Sequence, residues 1–268
     1  MSQTDRVTSR DGTSIAYERV GSGPAVILVG GGLDDGSENG PLMPELAKRF
    51  SVYNYARRGR GQSGDTQPYA LEREIEDLDA LIAQAGGSAH VYGVSSGGAL
   101  ALEAAAAGSA VDRVAVYEVP YNLADDWPAR WGAYRQDLAA ALAEGRRGDA
   151  IELFMRVVDT PDEVIDGARS SPMWQGLEAI AHTLAYDAAC LGDGRPPTDR
   201  LATIRQPTLV ATGGPHPPDS PVWIAALGPA AYAMVASVPN AERGVFEGQG
   251  HVADPKAVAS ALERFFLQ

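Results

Sequence analysis

Ser95 stands at the centre of Gly93-Val94-Ser95-Ser96-Gly97, a hydroxyl with a glycine two residues away on each side. His90-Val91-Tyr92 before it reads as a strand, and Gly98-Ala99-Leu100-Ala101 after it reads as a helix. A chain that leaves a strand and enters a helix at one residue must double back sharply. Glycines at 93 and 97 remove side chains from that corner, so the backbone can hold Ser95 strained with its hydroxyl exposed. The helix beginning at Ser96 would point its first N–H groups at the same spot. Nucleophile and oxyanion donor would then meet at one carbonyl, which is the chemistry of acyl transfer.

A serine hydroxyl needs a base. Of the four histidines, His90 begins a strand, His182 lies in a helical stretch and His216 lies in a proline-rich loop, and structural roles are expected for them. His251 differs. It lies in Glu247-Gly248-Gln249-Gly250-His251, after the last strand and before Asp254-Pro255, a good cap and first residue for a terminal helix. The flanking glycines make a turn able to carry the imidazole over the edge of a sheet.

The elements that must position these residues follow from hydropathy. Strands are expected at Thr13 to Val20, Ala25 to Val29, Ser51 to Tyr55, Ala89 to Val94, Arg113 to Glu118, Thr208 to Thr212 and Arg243 to Phe246. Helical patterns fall between most of them: Pro44 to Phe50, Leu71 to Ala85, Ser96 to Ala107, a stretch after Pro221, and Pro255 to Phe266. Leu71, Ile75, Leu78 and Ile82 mark one helix face, with Glu72, Glu76 and Asp79 turned outward. Alternation of this kind implies an α/β fold: a mainly parallel sheet with helices on both faces. From Tyr121 to about Asp199 only helical patterns occur (Pro128 to Ala143, Asp149 to Val158, Trp174 to Cys190). The expected organisation is a core of residues 1–120 and 200–268 with a helical cap of 121–199. Three of the four Trp lie in this insertion, either in its own small core or lining an apolar pocket.

The 268 residues suffice for one large core. With 35 acidic and 22 basic side chains the net charge is −13, which argues against a nucleic-acid partner. The single Cys190 fits a reducing compartment. Neither an N-terminal apolar leader nor a run of 18 apolar residues occurs, so a cytoplasmic protein without a membrane partner is expected. Its partner is expected to be a small-molecule substrate; the oligomeric state is not legible. No cofactor is expected, and no metal, because the histidines lack close Asp, Glu or Cys spacings. Gly59-Arg60-Gly61-Gln62-Ser63-Gly64 matches a dinucleotide fingerprint by its glycines, but Asp65, Thr66 and Pro68 prolong the loop where a helix should begin.

The chain resembles the α/β-hydrolase superfamily over nearly its whole length. The matching pieces are Gly30-Gly31-Gly32 after a strand, the turn Arg57-Arg58-Gly59-Arg60-Gly61-Gln62-Ser63-Gly64, the Ser95 corner, the helical insertion and the turn at Gly250-His251. Superfamily members usually carry His-Gly where Gly30-Gly31 stand. The resemblance implies an oxyanion hole from the N–H groups of Gly32 and Ser96.

It also bears on the acid. Most members place an Asp after the strand that here reads Thr208 to Thr212, but Gly213-Gly214-Pro215-His216 puts a histidine there, and the nearest carboxylate is Asp219 behind two prolines. Others place the acid after the strand following the nucleophile helix, which here ends Val116-Tyr117-Glu118. A carboxylate ending an apolar strand needs a partner, and an imidazole N–H would supply one. Glu118 is the expected acid and Asp219 the alternative. The order Ser-Glu-His, the Gly32-Leu33 step and Pro172-Met173-Trp174 are similar to fungal zearalenone lactonases, which implies a lactone among the candidate esters. Leu33, Tyr121, Trp127 and Trp174 are expected to contact substrate.

The reading is a serine hydrolase of a carboxylic ester or lactone of a largely apolar small molecule, with Ser95, His251 and Glu118 as its triad. Thioester hydrolysis, acyl transfer or carbon–carbon bond hydrolysis would use the same residues, and a non-catalytic ligand-binding module would retain only the fold.

Overall fold

The computed structural model describes residues 4–214 and 220–268. Its centre is an eight-stranded sheet: β1 (Thr4–Thr8), β2 (Ser14–Gly21), β3 (Ala25–Val29), β4 (Ser51–Tyr55), β5 (Ala89–Val94), β6 (Val111–Tyr117), β7 (Thr208–Gly214) and β8 (Ala241–Glu247), in the order β1-β2-β4-β3-β5-β6-β7-β8. β1 pairs with β2 and β2 with β4 in antiparallel fashion, and every other pairing is parallel. The chain runs from β3 outward to β4 and returns past β3 to β5. The connections after β3 and β5 therefore depart to opposite sides, which opens a crevice at the carboxyl ends of these strands.

Alternation along the strands splits the core in two. Ile27, Val29, Val91, Val114 and Val116 face one way, against α2 (Leu71–Gln84), α3 (Ser96–Ala106) and, later in the chain, α10 (Val222–Ser237). Val26, Leu28, Tyr92, Val94 and Ala115 face the other way, against α1 (Met43–Leu46) and α11 (Pro255–Phe266). Between β6 and β7 the chain is helical: α4 (Trp127–Ala143), α5 (Arg147–Val157), α6 (Asp162–Arg169), α7 (Trp174–Ile180), α8 (Leu184–Cys190) and α9 (Thr198–Leu201). Trp127, Trp131, Tyr134, Leu138 and Leu184 join the same apolar cluster as the first sheet face, so the insertion has no separate core.

Several details differ from the sequence expectation, among them the short helix α9. β1 is an additional edge strand, unreadable in hydropathy because only Val7 of its five residues is buried. The helix expected over Trp174 to Cys190 is broken by a 3₁₀ turn, Ala181–Thr183, where the Thr183 hydroxyl donates to the Ile180 carbonyl at 2.7 Å. α6 is also additional; it is short and polar, with only Ile165 buried.

Candidate active site

Ser95 sits between the last residue of β5 and the first of α3 with φ 54° and ψ −128°. A Cβ on Gly93 would lie 2.4 Å from the Gly97 carbonyl oxygen, and one on Gly97 would lie 2.4 Å from the carbonyl oxygens of both Val29 and Gly30. Only glycine fits at either position. The Ser95 N–H donates to the Tyr117 carbonyl at 2.9 Å, which ties the corner to the end of β6. Among the described residues four non-glycine residues have positive φ, and three of them, Leu33, Ser95 and Glu118, lie beyond the carboxyl ends of β3, β5 and β6. Each such conformation costs on the order of 1–3 kcal/mol, and such strain collects at functional sites.

Glu118 follows β6 and is 1% exposed. Its Oε1 accepts from the Gly213 N–H at 2.9 Å, and its Oε2 lies 2.7 Å from Nδ1 of His251. The turn that carries His251 is held from below: the Tyr117 hydroxyl donates to the Gly250 carbonyl at 2.6 Å, and Asp254 caps α11 by accepting from the N–H groups of Lys256 and Ala257. Trp223 of α10 meets the imidazole edge-on, with ring centres 4.9 Å apart. With Nδ1 engaged by Glu118, Nε2 is the ring atom placed to exchange a proton with a hydroxyl. Asp219, the alternative acid, and His216 lie outside the described residues. His90 stacks on Phe266 at 4.7 Å, a packing role.

The loop after β3 brings in a carboxylate that sequence reasoning missed. Glu38 accepts from the Gly31 N–H at 2.9 Å, and a Cβ on Gly31 would lie 3.1 Å from Ser95 Cβ and 3.4 Å from Glu38 Oε2. Burial of its carboxylate pushes Glu38 above the usual range against the pull of that N–H, and neighbouring Asp34 adds to the rise. Nothing in the run Asp34-Asp35-Gly36-Ser37-Glu38 distinguishes it from a solvated loop. Asp34 also explains the missing histidine: a Cβ on Gly30 would lie 1.9 Å from Asp34 Oδ2.

Two cavities meet at Glu38. One of about 440 Å³ lies between the loop residues Gly32, Leu33 and Asp34 and the α7 residues Leu177 and Ile180 with Met173. The other, of about 310 Å³, lies beside His251 and is lined by Leu42, Tyr92, Val94, Tyr117 and Val258. Leu33 lines the first of these cavities. Tyr121 and Trp127 lie elsewhere, 1% and 5% exposed in the apolar core, with Trp127 stacked on Trp131 at 5.8 Å. Trp174 packs toward Gly148, and its neighbour Met173 is the one at the cavity.

Beneath the loop after β3 lies a buried ionic network. Arg57 holds both oxygens of Glu74 at 2.7 and 2.8 Å and reaches Asp187 Oδ1 at 2.8 Å, and Arg60 reaches the same Oδ1 at 2.7 Å. The Ser96 hydroxyl donates to that oxygen at 2.7 Å. Arg57 and Arg60 also donate to the carbonyls of Gly30 and Gly31. Burial works against ionisation of Asp187 and Glu74, yet Arg60 and Arg57 hold Asp187, and chiefly Arg57 holds Glu74, below the usual carboxylate range. The turn from Arg57 to Gly64 thus serves this network, and α2 begins only at Leu71, well past the last glycine of the nucleotide-like pattern. Among the described residues no group of three His, Cys, Asp or Glu could hold a metal ion, and no helix is long and apolar enough to cross a membrane.

A family model described as the alpha/beta hydrolase family matches residues 25–261. An alpha/beta hydrolase from Sphaerobacter thermophilus is 48% identical, with 98% of this chain and 100% of that one covered at a TM-score of 0.87. A pimeloyl-[acyl-carrier protein] methyl ester esterase of Xanthomonas campestris is 29% identical over 92% of this chain and 96% of its own. The enol-lactonase of Burkholderia xenovorans shares the fold at 20% identity, covering 98% of this chain and 100% of its own, with a TM-score of 0.67.

Proposed function

The chain belongs to the alpha/beta hydrolase family, and on that premise we propose that Ser95, His251 and Glu118 are a catalytic triad that hydrolyses carboxylic esters or lactones through an acyl-enzyme. The observation that carries the reading is the 2.7 Å contact between Glu118 and His251, on the same sheet edge as a strained Ser95. Ser95 Oγ attacks the carbonyl carbon while His251 Nε2 takes its proton. The oxyanion is held by the N–H groups of Gly32 and Ser96. His251 returns the proton to the departing alkoxide, and Glu118 steadies the imidazolium through Nδ1–H. Water then repeats the sequence on the acyl-enzyme.

The two cavities divide the substrate. The leaving oxygen must come within hydrogen-bond reach of His251, so the alcohol portion takes the apolar cavity beside that residue. The acyl portion takes the cavity beside Gly32, where Asp34, Asp35 and Glu38 repel a free carboxylate. The Xanthomonas relative's name supports an ester, and the carboxylates here favour an uncharged acyl chain.

Hydrolysis of methyl and aryl esters of saturated acids and of simple lactones tests the reading. Ser95→Ala should lower kcat by at least about 10⁴-fold with the fold intact, and diesters of dicarboxylic acids should outpace their half-esters. Undiminished turnover by Ser95→Ala would overturn the assignment.

A further inference from the structure

Hydrolysis of an acyl-enzyme asks more of a site than its formation does. The incoming water carries two hydrogens. One passes to His251 Nε2, and the other needs an acceptor of its own, because a donor enclosed without a partner is unfavourable. The alcohol oxygen that leaves in the first half of the reaction is bonded to carbon and carries no such second hydrogen.

Glu38 stands where that acceptor is needed. Among the described residues it alone lines both the cavity beside Gly32 and the cavity beside His251. The first takes the acyl portion and the second the alcohol portion, so a residue at their junction lies beside the bond that is cut. Gly31 fixes the carboxylate there. Its N–H donates to Glu38 Oε2 at 2.9 Å, and a Cβ on the same glycine would lie 3.4 Å from Oε2 and 3.1 Å from Ser95 Cβ. The carboxylate is also close enough to His251 for an imidazolium there to favour its charged form. With Oε2 engaged, Oε1 has no donor among the described residues, and Glu38 is exposed enough for water to reach it. Among the described residues no other carboxylate lines the cavity beside His251.

We propose that Glu38 Oε1 accepts a hydrogen bond from the water that hydrolyses the acyl-enzyme, which makes Glu38 a catalytic residue of deacylation. Once the alcohol has left, water enters the cavity beside His251. Its oxygen bonds to the acyl carbon, one hydrogen passes to His251 Nε2, and the other stays on the oxygen and points at Oε1. The carbonyl re-forms as the bond to Ser95 Oγ breaks, His251 returns its proton to Oγ, and the product departs as a carboxylic acid. The inference rests on Ser95 being the nucleophile.

Methanol separates this role from any other that Glu38 has. It too can deacylate Ser95, but its single O–H hydrogen goes to His251 and none is left for Glu38. Turnover of 4-nitrophenyl butyrate in buffer containing methanol gives acid and methyl ester from one acyl-enzyme, so the initial ratio of the two products is independent of the acylation rate. In Glu38→Gln the Gly31 N–H keeps the amide oxygen, and the NH₂ stands where Oε1 was, a donor in place of an acceptor. The loop is retained and the water loses its partner. The ratio of methyl ester to acid should rise at least about tenfold over wild type, and decay of the acyl-enzyme in methanol-free buffer, followed by stopped flow, should slow by a similar factor. An unchanged ratio would overturn the proposal even if both products formed more slowly, because a carboxylate that only braces Gly31 or favours a charged His251 acts on both nucleophiles alike. Should Glu38→Gln not fold, Glu38→Ala, which lacks any acceptor at this place, decides by the same ratio. Turnover that survives Ser95→Ala would defeat the triad and this proposal with it, whereas an unchanged ratio beside an inactive Ser95→Ala would remove Glu38 alone.

Discussion

Glu118 and His251 are 133 positions apart in the chain, yet the carboxylate Oε2 lies 2.7 Å from the imidazole Nδ1 while Oε1 is fixed by the Gly213 N–H. Each carboxylate oxygen therefore has a set partner, and that fixes the outcome of an isosteric substitution. In Glu118→Gln the Gly213 N–H retains the amide oxygen, so the NH₂ faces Nδ1 and forces the proton onto Nε2. The base is then in the wrong tautomer to accept the Ser95 proton. Ester turnover should fall about 10³–10⁴-fold with little change in KM. Asp219→Asn, measured beside it, should leave the rate within about twofold; the reverse ranking would move the acid to residue 219.

Trp223 is half-buried and meets His251 at right angles, ring edge to ring face. Such a contact contributes about 0.5–1.5 kcal/mol. Removing it frees the imidazole to leave its aim, so Trp223→Ala should lower kcat roughly 2–12-fold, while the melting temperature moves by only a few degrees. Stopped-flow acylation with an activated ester is the check, and an unchanged acylation rate would show that Glu118 alone orients the ring.

Gly97 lies against two carbonyl oxygens, each 2.4 Å from any Cβ built there. Gly97→Ala must push α3 away from β3 and so separate Ser96 from Gly32. A loss of about 3 kcal/mol, or roughly 6–12 °C in melting temperature, should accompany inactivation. Calorimetry on the purified variant measures it.

Acid should weaken the fold through Glu74 and Asp187, both held below the ordinary carboxylate range by buried arginines. Their lowered native values mean that the unfolded chain binds more protons once the pH drops below about 4, so stability is complete above that value and falls on further acidification. Denaturant midpoints should be flat from about pH 7 to 5 and decline below 4. Glu74→Gln leaves Arg57 with only the Asp187 carboxylate, which it shares with Arg60, and should lose about 3 kcal/mol at neutral pH, with a shallower acid decline. Parallel pH curves for wild type and variant would contradict this.

Residues that act through local backbone geometry were legible in the sequence. The glycines at 93 and 97 mark a corner because a tight turn removes side chains on the spot, and Gly250-His251 before Asp254-Pro255 marks a turn followed by a capped helix. Hydropathy placed seven of the eight strands, and β1 escaped because an edge strand with one buried residue carries almost no pattern. Glu38, Trp223 and the Arg57–Asp187 network were not legible, because each depends on side chains from separate elements meeting in space. Tyr121 and Trp127 show the same limit from the other side. Aromatic content suggested a pocket, but the face that α4 turns toward the sheet decided that Trp127 would be core.

Catalysis by this triad requires an activated hydroxyl at residue 95. Incubation with a fluorophosphonate at neutral pH, followed by peptide mass mapping, should give one adduct on Ser95, strongly reduced in His251→Ala and Glu118→Gln. No adduct on a folded, pure protein, or an adduct on another residue that persists in Ser95→Ala, would contradict it.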